Sequence, residues 1–253
     1  MAADPTVSEL GSISDLRSVL ELRIADDALV AAQRLAEWST RAPEMEEDIA
    51  LSNIALDQLG VARLLYGADE DRLAYLRDDH EFRNCLLVEL PNGDFAVTIV
   101  KLFFLSVYQH LLYERLVSSV DERLAGIADK ARKESAYHRD HAAQWTLRLG
   151  DGTEESHQRM RTAVEDLWPY THELFLDDPV SRRLAEAGVA PLPSRLREPW
   201  LATIDLVLDE ATLPRPADGW APEGGRHGRH TEHLSYLLAE LQVLHRAHPG
   251  AVW

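Results

Sequence analysis

Four acidic residues stand one per helical segment along the chain: Glu37, Asp57, Glu114 and Glu134. In a large helical bundle such a set is the raw material of a carboxylate-rich metal centre. The best-known version takes one Glu from each of two helices and a Glu-x-x-His from each of the other two. Spacing decides the matter, because residues three apart on a helix share a face and can converge on one pair of ions. Here the second half of each clasp is missing: Gly60 follows Asp57 by three, and Tyr137 follows Glu134 by three. His138, one position further, still shares a face with Glu134 but aims differently. The literal Glu-x-x-His, Glu154 to His157, opens a helix behind Thr153, where Glu154 is better explained as a carboxylate facing the helix dipole. The four acids thus read as degenerate metal positions, with His138 as a fifth. A carboxylate-bridged metal oxidase built on these five is the alternative to a chain that binds no cofactor itself.

Other constellations are weaker. Glu134, His138 and His141 share a stripe with Ile127, Ala131 and Trp145 and could hold one ion, although a buried hydrogen-bonded cluster is the plainer reading. Asn53, Asp57 and Gly60 read as residual polarity inside a core. His227, His230 and His233 recur every three residues beside Gly224, Gly225 and Gly228. A zinc site is conceivable there, but a loop anchored at a helix start by His230 and Thr231 fits the pattern better. Gly224-Gly225 lacks the following strand and lysine of a phosphate loop. Cys85 lies in an apolar run with Leu86, Leu87 and Val88 and reads as packing. No local signature of a nucleophilic enzyme is present.

Charge narrows the partners. Lys and Arg total 26 against 43 Asp and Glu, a formal net charge of −17. Such a surplus repels phosphate backbones, so nucleic acid is a poor partner, and an anionic small molecule would need arginines gathered locally. The single Cys excludes an internal disulfide. No stretch approaches the roughly 18 unbroken apolar residues of a membrane span. The acidic start, with Asp4, Glu9 and Asp15, lacks the apolar core of a signal peptide. A soluble, cytoplasmic protein without membrane contact is expected.

The elements that must position these residues are helical throughout. Ile24, Ala28, Ala31, Leu35 and Trp38 form one stripe of an amphipathic helix. Pro43 at a first helical position, with Glu44, Glu46, Glu47 and Asp48, predicts a second helix from there to Tyr66 and Gly67. A short amphipathic stretch, 71–79, and a turn at Pro91–Asp94 precede a nearly all-apolar segment from Phe95 to Val117, which belongs at the centre of a core. Asp121 caps a long helix closed by Gly150 as a left-handed residue, and Thr153 starts another running to about Leu176. Pro179 begins a shorter one closed by Gly188, and Ser194 starts a piece reaching Leu213. After a Pro- and Gly-rich loop, 214–229, Thr231 caps the last helix. Long helices with short links describe an all-α antiparallel bundle. Residues 1–20 read as an N-terminal extension and 21–253 as a single domain.

Several segments, taken in order, carry a resemblance: Arg34–Trp38, Ala42–Gly60, Val88–Phe95, Leu149–Thr153, Leu167-Trp168, His230–Leu234 and Leu238–Gln242. Together they resemble the C subunits of bacterial multicomponent phenylacetyl-CoA epoxidases, from about residue 20 to the C-terminus. The resemblance implies a ferritin-like four-helix core with additional C-terminal helices. It also implies a place in a ring-activating monooxygenase of aerobic phenylacetate degradation. There the related A subunit holds the di-iron centre, while the C subunit is non-catalytic and supports it. By the same resemblance Glu81, Phe82, Arg83 and Asn84 lie near the CoA ester, as do Arg182, Arg183 and Leu184. Arg83, Arg182 and Arg183 would supply the charge an anionic CoA needs. Trp168, Tyr170, Phe175 and Trp200 are candidates for the face that meets the A subunit. A homodimer of the isolated chain, and an acyl-CoA binding module that senses phenylacetyl-CoA, are further expectations.

Overall fold

In the computed structural model, which describes residues 11–251, every regular element among the described residues is helical. The long helices are α1 (Ile13–Ala36), α2 (Met45–Tyr66), α5 (Phe95–Leu116), α6 (Glu122–Gly150), α7 (Glu154–Thr171), α9 (Arg197–Glu210) and α10 (Glu232–Ala247). Shorter pieces are α3 (Glu70–Tyr75), α4 (Leu86–Glu89) and α8 (Pro179–Glu186). The fold is all-α, as the ferritin-like reading requires. Residues 1–10 of the expected extension lie outside the described residues. Because α1 begins at Ile13, a boundary at residue 20 falls inside a helix.

The caps explain most boundaries. Asp94, Asp121, Thr153 and Asp178 each accept a hydrogen bond from the amide three residues on, so each satisfies one orphan donor of a first turn. Gly67 and Gly188 lie at positive φ just past α2 and the end of α8, where a side chain would be strained. Three of the boundaries that differ from expectation have a clear physical reason. Pro43 precedes α2 rather than opening it, because extended Glu44 occupies the cap position. Gly150 is the last helical residue of α6, not a left-handed cap. Its missing side chain serves close approach instead, since a Cβ there would stand 2.7 Å from the carbonyl oxygen of Ala211. Helix α7 stops at Thr171, not Leu176. Pro169 removes the amide that would bond Glu165, and the chain tightens into a 3-10 turn over His172–Phe175.

The chain divides into two compact units: the described residues of Met1–Leu20 with Gly93–Pro222, and Glu21–Asn92 with those of Glu223–Trp253. In the first, α5 is the central helix and packs against α6, α7 and α9. By length and composition α5 could cross a bilayer, but 83% of its most apolar window is buried inside the protein, as in a core helix. Trp168, Phe175 and Trp200 gather beside it with Phe104 and Tyr108, ring centroids 5.2–5.8 Å apart. This overturns their expected role as a partner face. All three are buried, with Trp200 only 1% exposed, and Tyr170 is half-buried. Rings from α5, α7, the 3-10 turn after it and α9 interlock, and their burial removes a large apolar area from water.

Asp121 ties α6 to the beginning of α1, which lies in the same unit. Its carboxylate accepts from the Leu124 amide at 2.8 Å and from Arg17 Nη1 at 2.5 Å. The Leu124 amide and then Arg17 hold its carboxyl below the ordinary carboxylate range. The stabilisation is therefore complete above the unfolded value of about 3.9 and is lost as pH falls through the lower folded value. Asp121→Ala is expected to cost about 1 kcal/mol at neutral pH, read as a lower urea midpoint. The gap between variant and wild type should close on acidification.

In the second unit α10 packs on α3 and α4, and α2 meets α3. The α1 stripe Ile24, Ala28, Ala31 and Leu35 is buried as expected, whereas Trp38 is half-buried in the turn beyond the helix. The Asn53–Asp57–Gly60 column is not core polarity. Asn53 is exposed and the other two are half-buried, on a side of α2 that also exposes Met45, Ile49 and Leu56.

Candidate functional site

The most concentrated chemistry of the second unit starts from two adjacent carboxylates in the middle of α1. Asp26 and Asp27 are 0% and 4% exposed, flanked by buried Ala25, Ala28, Leu29 and Val30. Successive helical residues point about 100° apart, so the two acids collect different partners. Asp26 accepts from Arg77 through Nη1 (3.0 Å) and Nη2 (2.5 Å), from the Tyr66 hydroxyl, and from the Arg83 amide at 2.7 Å. Arg77 also lies over the Phe82 ring, 4.0 Å from its centroid. Asp27 takes a two-pronged grip from Arg226, at 2.9 and 2.7 Å, and the Cys85 amide at 2.7 Å.

A third carboxylate completes the network. Glu89, in α4, is 0% exposed and accepts from Asn84 Nδ2 (2.9 Å) and the Thr231 amide (2.6 Å). His230 Nδ1 lies 2.8 Å from the same carboxylate, and its Nε2 lies 3.1 Å from the Phe82 carbonyl. Both neighbours are acceptors, an arrangement that a doubly protonated ring satisfies. Arg34 holds the Glu89 carbonyl through Nε and Nη2, at 3.1 and 2.7 Å.

Burial and pairing set the electrostatics. Burial pushes the Asp27 carboxyl up, with Arg226 pulling against it. Burial, then the neighbouring Asp26 charge, pushes the Tyr66 hydroxyl well above its ordinary value. Burial lowers the Arg77 guanidinium, yet its hydrogen bonds to Asp26 leave it raised overall. Two glycines let the backbones close on one another. A Cβ on Gly225 would stand 2.3 Å from the Asn84 carbonyl oxygen, and one on Gly228 2.1 Å from that of His80. Chemically the arrangement is a clamp: three carboxylates surrounded by donors fasten segments 77–89 and 224–231 to α1.

The residues singled out by sequence fall around this clamp or apart from it. Phe82 and Asn84 are fully buried within it, and exposed Glu81 accepts the Asp78 amide at 2.9 Å. Arg83 is half-buried and donates from Nη1 to the His80 and Phe82 carbonyls, at 2.8 and 2.7 Å. Arg182, Arg183 and Leu184 lie on α8, in the other unit: Arg182 is exposed, Arg183 half-buried and Leu184 fully buried. Glu37 pairs with Arg34 (2.7 Å) and accepts from Asn92 (3.1 Å). Asp57 is half-buried on α2. Glu114 is exposed, 3.6 Å from His110. Glu134 lies 3.3 Å from Lys130, and His138 is buried along α6. Among the described residues, no three His, Cys, Asp or Glu side chains gather as a group that could hold an ion. The His227, His230 and His233 spacing likewise builds no metal site there. His227 is exposed, and the His233 carbonyl accepts from Arg34. Thr231 is a cap by position only, its side chain making no cap bond. Cys85 is buried, as its apolar run implies.

With this geometry in view, similarity to known proteins places the chain. The family described as phenylacetic acid catabolic protein matches residues 14–253. The C subunit of the 1,2-phenylacetyl-CoA epoxidase of Escherichia coli (strain K12) is 46% identical over 240 residues, covering 92% of this chain and 97% of that protein. This chain belongs to the phenylacetic acid catabolic protein family. The family match takes in both units, and so the whole clamp.

Sequence reasoning missed Asp26, Asp27, Arg77, Glu89 and Arg226. One signal was there: two neighbouring acids inside an otherwise apolar helical stretch, Ala25 to Ala32, where unpaired charge would be costly. Their partners carried no such mark.

Proposed function

We propose that this chain is the C subunit of a 1,2-phenylacetyl-CoA epoxidase, a non-catalytic component that pairs with and supports the di-iron A subunit in aerobic phenylacetate breakdown. The observation that carries this reading is the end-to-end relationship, 46% identity across 92% of the chain, to an epoxidase C subunit. The side-chain chemistry agrees with it. Glu37 is engaged by Arg34 and Asn92, Glu134 lies beside Lys130, and the buried acids Asp26, Asp27 and Glu89 serve a clamp rather than an open site. A supporting protein also needs apolar area for its partner to cover, and Met45, Ile49 and Leu56 offer some along α2.

Co-expression with the A subunit tests the proposal. The two chains should co-migrate in size-exclusion chromatography, and the A subunit should lose solubility when expressed alone. Chains that never co-migrate would refute the pairing. Near-stoichiometric iron with oxygen consumption by this chain alone, after anaerobic loading, would replace the proposal with the metal-oxidase reading.

A further inference from the structure

Loop 224–231 closes on segment 77–89 within the second unit, and His230 stands at the join. Its side chain keeps only 4% of its surface exposed. Nδ1 lies 2.8 Å from Glu89 Oε2, and Nε2 lies 3.1 Å from the Phe82 carbonyl oxygen. A neutral imidazole carries one ring proton, so one of its nitrogens would turn a lone pair toward an oxygen lone pair. The carboxyl is a poor alternative home for the missing proton. Glu89 already accepts from Asn84 Nδ2 at 2.9 Å on the same oxygen, and from the Thr231 amide at 2.6 Å on the other. Donors on both oxygens favour the carboxylate, and a buried carboxylate favours an imidazolium beside it.

The surroundings hold their charge through neutral and mildly alkaline pH. Asp26 is paired with Arg77 and Asp27 with Arg226, while Arg34 holds the Glu89 carbonyl. Asp79 feels the ring more weakly: Ser235 first, then the His80 amide, holds its carboxyl below the ordinary range, with His230 a smaller pull. Arg83 donates at 2.7 Å to the same Phe82 carbonyl that His230 reaches, so that oxygen keeps a partner if the ring lets go. His80 and His227 are exposed, His233 is half-buried, and the buried Cys85 thiol meets Asp27. Gly225 and Gly228 press against the carbonyls of Asn84 and His80, which leaves the loop no slack in which the ring could turn aside.

We propose that His230 is a proton-operated latch: doubly protonated, it ties Glu89 to the Phe82 carbonyl and holds loop 224–231 shut, and loss of one ring proton above neutral pH releases the loop. Glu89 attracts the Nδ1 proton, so Nε2 gives its proton to water and faces the carbonyl with a lone pair. A ring that binds its second proton more tightly in the folded chain stabilises fully below its unfolded value, about 6.5. That contribution is lost as pH rises through the higher folded value. Release is therefore an alkaline event, opposite in sign to the Asp121–Arg17 pair, which weakens in acid.

Nitrogen NMR of the full chain, with the His230 ring assigned through backbone correlations, reads the proton directly. Both ring nitrogens should be protonated at about pH 7 and one of them bare by about pH 9.5. Hydrogen–deuterium exchange, corrected for its intrinsic pH dependence, reads the loop. The amides of His227, Gly228, Arg229 and Thr231 are hydrogen-bonded in the closed form. Their protection should fall by about tenfold or more over that range, while that of α5 holds. His230→Gln keeps a donor but cannot titrate, so its loop protection should be independent of pH. Cys85→Ala should open over the same range as wild type. A bare ring nitrogen at about pH 7, or wild-type loop protection that does not change, would overturn the latch even if His230→Gln failed to fold. A transition that survives in His230→Gln, or one that vanishes in Cys85→Ala, would overturn it as well.

Discussion

Asp26→Ala should destabilise the protein by about 3–5 kcal/mol, because it strands a buried cation. Arg77 keeps only 7% of its side-chain surface exposed, and both of its terminal nitrogens point at Asp26. Removing the carboxylate also leaves the Tyr66 hydroxyl and the Arg83 amide without their acceptor. Asp26→Asn retains the shape and one acceptor oxygen but not the charge, so its loss should be smaller. Tyr66→Phe, which removes one donor, should cost least, about 1 kcal/mol. Urea unfolding followed by tryptophan fluorescence gives the ranking. An Asp26→Ala midpoint equal to wild type would show that the clamp contributes nothing to stability.

Trp200→Ala should cost a similar amount, about 3–5 kcal/mol, by a different mechanism. The indole is 1% exposed and touches the rings of Phe104, Trp168 and Phe175, with centroids 5.2–5.6 Å away. Its Nε1 donates to the Phe104 carbonyl at 2.9 Å. Alanine would leave a cavity that three neighbouring rings cannot collapse to fill. Trp200→Phe keeps much of the packing while losing the N–H, so it should recover most of the stability. Near-UV circular dichroism should show the aromatic signal collapsing in Trp200→Ala before the helical signal does. Were Trp200 instead part of a partner face, the variant would melt like wild type and lose only the proposed pairing with an A subunit.

These two sites divide what could and could not be read along the chain. Helix starts marked by Asp121, Thr153 and the residues around Pro179 were legible, because a cap and its helix are sequence neighbours. So was the burial of Phe95–Leu116, since a segment apolar on every side has nowhere else to go. Trp168, Phe175 and Trp200 were offered as candidates for a partner face because they lie in different segments and nothing local marks their side as inward. Only packing α7 and α9 on α5 brings them together.

The all-α class, the caps, the central helix and the family were therefore determined by the sequence itself, through periodicity and interactions a few residues long. Tertiary structure alone decided where the charges of the clamp go. Arg77 meets Asp26 across 51 positions, Thr231 meets Glu89 across 142, and Arg226 meets Asp27 across 199. Nothing in local spacing selects those partners. Each buried carboxylate must find donors wherever the folded chain supplies them, because leaving it bare in a dry interior costs more than any local preference can return.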